Sequence, residues 1–171
     1  MSPVAILTLV VAVAAAPQLQ KDTIDGIRNY TKVDATIGCA GATDPKAMAA
    51  LKERGYKAVL NLREASEEGA QIPESKAAAE AAGLTFIHLP FKGSEPDDAV
   101  ADEFLKVVAN DASQPLFINC GSANRVGAMW LIKRMVIDKW EQDKAVEEAK
   151  AIGLSSAALE KWALDYVAKR R

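Results

Sequence analysis

Three short, largely apolar runs limit what this 171-residue chain can fold into more than any other feature: Ala58-Val59-Leu60-Asn61-Leu62, Thr85-Phe86-Ile87-His88-Leu89 and Leu116-Phe117-Ile118-Asn119. Apolar runs of this length, bounded by turn residues, read as strands buried inside a sheet. Segments of helical period precede each of them, and strands separated by a helix pair in parallel. The chain is therefore expected to be α/β, with a mainly parallel sheet of four to five strands flanked by helices and a helical C-terminal region.

The remaining elements follow from stop signals. Ala35 to Ala40 reads as a first strand ending at Gly41, and Asp44 with Pro45 reads as the cap and first position of a helix that Gly55 stops. A loop covers Arg63 to Gly69, and a second helix runs from Pro73 to Gly83. A third helix spans about Asp98 to Ala109 with Val100, Phe104, Val107 and Val108 on its apolar side. Gly127 to Ile137 is apolar nearly all round and should be a central buried helix. Helices over Glu141 to Ile152 and from Ser156 onward complete the chain. Half of the residues are hydrophobic, enough for one domain, taken as residues 33–171 behind a connector over 17–32.

Val4 to Ala16 is apolar apart from Thr8 and contains the small-x-small site Ala12-Val13-Ala14. Residues 1–16 read as a bacterial secretory signal peptide, which implies a periplasmic or secreted protein with no stable membrane insertion after cleavage, or a cytoplasmic one if the segment is retained. Net charge is −2, so no basic field recruits nucleic acid. A monomer is expected.

Chemistry concentrates after the last strand, in Cys120-Gly121-Ser122-Ala123-Asn124-Arg125. A cysteine reacts through its thiolate, which a helix N-terminus and a nearby arginine favour. Gly121, Ser122 and Ala123 are small enough to turn backbone N–H groups inward, and Arg125 offers a fork to a tetrahedral oxyanion. In this reading Cys120 attacks phosphorus, while Arg125 and the amides of residues 121–124 hold the phosphoryl oxygens. No metal or cofactor is called for.

This loop, with its strand before and helix after, resembles the phosphate-binding loop of the cysteine-dependent tyrosine and dual-specificity phosphatases. In detail it is similar to their bacterial branch, the beta-lactamase-hydrolase-like phosphatases. The likeness runs from about Tyr30 to Leu154 and takes in Ala40-Gly41, Val59 to Arg63, His88-Leu89-Pro90 and Arg125 to Ala128. It implies that the substrate is a phosphorylated protein or a small phosphate ester. It also implies a proton donor on the loop after the third strand, where Glu95, Asp97 and Asp98 stand; Glu95 is favoured by distance, Asp97 by residue type, and Asp97 and Asp98 are equally good helix caps. The likeness further brings Cys39 toward Cys120 as a reversible redox partner. Asn119 stands where the family pattern has histidine, four residues rather than five precede Arg125, and Val126 replaces a hydroxyl residue, a role Ser122 could take over. His88, the only histidine, reads as a structural residue on a buried strand.

A rhodanese-like sulfurtransferase also places a cysteine loop of this shorter length after a strand, and Leu62-Arg63-Glu64 with Ile72-Pro73 resembles part of that fold. Its chain returns with another strand after the loop, whereas this one reads as helical. A non-catalytic phosphate-binding module would keep the anion site without turnover.

Overall fold

The computed structural model describes residues 19–170. The signal-peptide segment lies outside them. Among the described residues, six strands form one sheet: β1 (Gln20–Lys21), β2 (Thr31–Lys32), β3 (Ile37–Ala40), β4 (Ala58–Asn61), β5 (Thr85–His88) and β6 (Leu116–Asn119), in the order β1-β2-β3-β6-β4-β5. The last four of that order run parallel, and β1 and β2 extend the β3 edge in antiparallel fashion. The helices are α1 (Met48–Glu53), α2 (Ile72–Ala81), α3 (Asp98–Val108), α4 (Asn124–Val136), α5 (Gln142–Ile152) and α6 (Ala157–Ala168). No strand follows β6 among the described residues, which separates the chain from the rhodanese pattern.

Side-chain alternation divides the central strands between two cores. Ile37, Cys39, Leu60, Leu116, Ile118 and Cys120 face a large core closed by α3, α4, α5 and α6. Ala40, Val59 and Phe117 face a smaller one closed by α1 and α2. Residues 24–30 of the segment read as a connector belong to this second core: Ile24, Ile27 and Tyr30 are buried there, and Tyr30 stacks on Phe117.

Helix ends are close to their sequence signals. Asp44 caps its helix through the N–H of Lys46, although the first turn, Pro45 to Ala47, is a 3-10 turn rather than α. Asp97 and Ser156 cap α3 and α6, and Gly153 ends α5. The long buried helix begins at Asn124, earlier than its apolar run suggests. One reading of the sequence is corrected: β5 is an edge strand, so His88 is exposed rather than buried, and its Nε2 lies 2.8 Å from the Arg63 carbonyl oxygen.

Among the described residues, no helix is long and apolar enough to cross a membrane. The four parallel strands point their C-terminal ends the same way, so the loops after β3, β4, β5 and β6 gather on one side of the sheet. Strand β6 lies between β3 and β4, where the winding reverses, which is where open α/β sheets place their ligands.

Candidate functional site

At that point β6 ends and α4 begins within five residues. Cys120 is fully buried, and the Arg125 guanidinium lies near enough to its sulfur for the two to interact electrostatically. Between them Ala123 adopts a left-handed conformation, φ +74°, and provides α4 with no side-chain cap. The first N–H groups of a helix need acceptors. In addition, the amides of Gly121, Ser122 and Ala123 are donated to no backbone carbonyl among the described residues. A run of free N–H groups at a helix N-terminus, beside a guanidinium, is a site for an anion.

The loop is held from behind. The Cys120 N–H reaches the Ala40 carbonyl at 3.3 Å, the Ala42 N–H bonds the Gly121 carbonyl at 3.0 Å, and Asn29 Nδ2 bonds the Ser122 carbonyl at 3.3 Å. A side chain at Gly121 would come within 3.4 Å of an Arg125 terminal nitrogen and 3.5 Å of Glu67, so glycine keeps that approach open. Asn124 turns its side chain away from the loop, and its Oδ1 accepts from the N–H groups of Ser155 and Ser156 at 2.9 and 3.1 Å. Val126 is buried in the first turn of α4.

Glu67, not singled out in the sequence, and Arg63, given no role in the site there, complete the site. The carboxylate of Glu67 takes both ends of the Arg125 fork, at 2.6 and 2.8 Å. The carbonyls of Phe91 and Leu62 accept from the same guanidinium at 2.9 and 3.3 Å. Arg63 is buried under the loop, bonding Glu67 through Nε at 3.2 Å and the carbonyls of Glu68 and Gly69 at 2.6 and 2.7 Å. Burial works against both charges of the central pair. For Glu67 the bonds from Arg125, the Glu64 N–H and Arg63 outweigh it and bring the pKa down to about 2. For Arg125 the Glu67 carboxylate and the Cys120 sulfur outweigh it and hold the guanidinium above the usual arginine value. Because Glu67 engages the two terminal nitrogens, the Nε edge remains for a ligand.

The loop after β5 closes another side. Gly93 lies against the Arg125 methylenes. Glu95 is exposed and pairs with Lys92 at 2.8 Å. Asp97 accepts from the Ala99 N–H at 2.8 Å as the cap of α3, and Asp98 is held by Trp162 Nε1 and Lys169, each at 3.0 Å. Cys39 is paired in register with Ile118, two residues before Cys120, and faces the same core. Both cysteines are free thiols. Burial first, and the carboxylates of Glu148 and Asp34 second, push the Cys39 thiol up, which opposes the thiolate that disulfide exchange needs.

The family model for the phosphatase-like domain of beta-lactamase hydrolase-like proteins matches residues 27–137, more than half of the chain. No curated protein matches. Among solved structures, the fold is similar to that of P. aeruginosa TpbA, with 20% identity over 91% of this chain and 92% of that one and a TM-score of 0.67. It is also similar to the core catalytic domain of the S. cerevisiae PP-IP phosphatase Siw14, with 19% identity over 84% and 88% of the two chains and a TM-score of 0.70. Strand β6, the cysteine loop, Arg125 and α4 all lie within the matched residues, and the chain belongs to the family of phosphatase-like domains of beta-lactamase hydrolase-like proteins.

Proposed function

We propose that the protein hydrolyses phosphate monoesters through a cysteinyl-phosphate intermediate. The observation that carries this reading is the convergence of Cys120 and the free edge of Arg125 on the uncapped N-terminus of α4. The phosphoryl oxygens lie on Arg125 and on the amides of the 121–124 segment, where charge develops as the reaction proceeds. The Cys120 thiolate forms a bond to phosphorus as the ester P–O bond breaks, and the departing oxygen takes a proton from Glu95. A water molecule then attacks phosphorus, gives its proton to the Glu95 carboxylate, and breaks the P–S bond to release inorganic phosphate and the thiolate.

Glu95 is preferred as the acid because Asp97 and Asp98 are already committed to the cap of α3 and to Trp162 with Lys169. Relatives support an ester substrate: TpbA binds phosphotyrosine in its complex, and Siw14 is a PP-IP phosphatase. Either a phosphoprotein or a small phosphate ester suits the site.

Assay of an aryl phosphate with wild type, Cys120→Ser and Glu95→Gln tests this. Cys120→Ser should lose turnover while still binding phosphate. Glu95→Gln should lose about a hundredfold in kcat for an alkyl phosphate, and less for an aryl phosphate whose leaving group needs no proton. Phosphate binding without hydrolysis in the wild type would instead make the protein a phosphate-binding module.

A further inference from the structure

An open cleft of about 440 Å³ is lined in part by Ala42, whose N–H bonds the Gly121 carbonyl of the phosphate loop at 3.0 Å. One wall is built from residues 26–28 and 42–44, the other from Gly69 and Gln71. Both walls are tied to the anion site. On the first, Arg28 and Ala42 are joined by an N–H to carbonyl bond of 2.9 Å, and Ala42 in turn bonds Gly121. The Gly41 N–H returns to the Arg28 carbonyl at 2.7 Å, so the backbone under Arg28 is held from both sides. On the second wall, the Gly69 carbonyl is bonded by Arg63, which also holds Glu67, the carboxylate on the Arg125 fork. Both walls are thus joined by hydrogen bonds to the segment that carries Cys120 and to the carboxylate on Arg125.

Its lining carries one guanidinium and one carboxylate, and they differ in how they are engaged. The Arg28 side chain is exposed and has neither an ion pair nor a hydrogen bond among the described residues. Asp44, the one carboxylate of the lining, is already engaged, accepting from the Lys46 N–H at 2.9 Å and pairing with the Lys46 ammonium at 3.5 Å. Thr43 spends its hydroxyl proton on the Gly41 carbonyl at 3.2 Å, and Gln71 adds a neutral amide. A free guanidinium on a rigid wall is suited to a second phosphate, and the cleft has the size of a small-molecule site rather than of a peptide groove.

We propose that this cleft is a second anion subsite in which Arg28 receives another phosphate of a small, multiply phosphorylated ester whose scissile phosphate lies on Arg125. Arg28 then selects the substrate without touching the reacting phosphorus. The proposal rests on the phosphate-ester reading of the Cys120 site.

The test compares a hexose bisphosphate with the matching hexose monophosphate. Wild type should favour the bisphosphate in kcat/KM, and Arg28→Ala should reduce that ratio about tenfold, with Arg28→Lys recovering part of it. Titration of the Cys120→Ser protein with the same two sugars reads the subsite without turnover, and adding Arg28→Ala to it should weaken the bisphosphate about tenfold relative to the monophosphate. If neither sugar is hydrolysed but that binding difference is present, the hydrolase reading fails and the subsite stands. Equal affinity of Cys120→Ser for the two sugars, or an equal loss of both with Arg28→Ala, overturns the subsite. So does an Arg28-dependent preference seen only with a phosphotyrosine peptide flanked by acidic residues.

Discussion

At the scale of single residues, the feature that most shapes the site is the Glu67 carboxylate on Arg125. An arginine held on both terminal nitrogens has one edge left, so the pair fixes the direction from which an anion approaches. Glu67→Gln retains the shape but loses the charge, and kcat/KM for an aryl phosphate should fall about tenfold. Its pKa gives a second readout. Glu67 is depressed to about 2 in the folded protein, from an ordinary value of about 4.3. Its stabilisation is therefore complete above about pH 4.3 and is lost as the pH falls toward about 2. The stability gap between wild type and Glu67→Gln, measured by urea unfolding, should narrow over that window; a constant gap would mean that the carboxylate charge is not what the fold uses. None of this was legible in the sequence. The segment 63–69 has charges but no periodicity, and Glu67 meets Arg125 across 58 residues. Cys120 and Arg125 were legible because strand, small-residue loop and helix are contiguous and their order alone brings the two side chains together. The proposed proton donor is legible only as a short acidic stretch, since capping and catalysis favour the same residue types there.

At the scale of elements, the alternation of strands and helices was visible because each central strand is buried on both faces, which makes it an almost continuous apolar run. β1 and β2 were not visible: two-residue strands carry no periodicity, and only their pairing with β3 defines them. The exposure of His88 was misread for a related reason, since edge and interior strands differ by what lies beside them. Contact between α4 and α5 was likewise hidden in a single glycine. A Cβ at Gly127 would lie 2.8 Å from the backbone of both Ala149 and Leu154, so the helices approach as closely as backbone atoms allow. Gly127→Ala should force them apart and cost about 1–3 kcal/mol, read as a lower urea midpoint with an unchanged slope. Phosphate affinity should fall with it, because Asn124 ties the start of α4 to the turn that follows α5. Loss of stability with unaltered phosphate affinity would separate the helix contact from the site.

For the whole molecule, the two cores are unequal, and the site belongs to the larger. β6 has a parallel neighbour on each side, all four of its residues are buried, and α4 directly after it is buried along most of its length. The other face is closed by the six-residue α1 and the ten-residue α2, whose buried residues are few and small apart from Met48 and Leu51. Cooperative units open in the order of the surface they bury, so the α1 and α2 face should open before the β6 and α4 unit does. Native-state hydrogen exchange tests this. Amides of Phe117, Ile118 and Met129 to Ile132 should exchange only with global unfolding, and those of α1 and α2 should exchange through openings of lower free energy. Lys21 and Lys32, on the short antiparallel edge, should exchange fastest among the strand amides. The order matters for function, because a phosphate loop suspended between the last strand and helix to open keeps its free N–H groups in place while the walls around it move. If α1 and α2 prove as protected as β6, the domain opens as one unit, and the loop takes its order from the whole sheet rather than from β6 and α4.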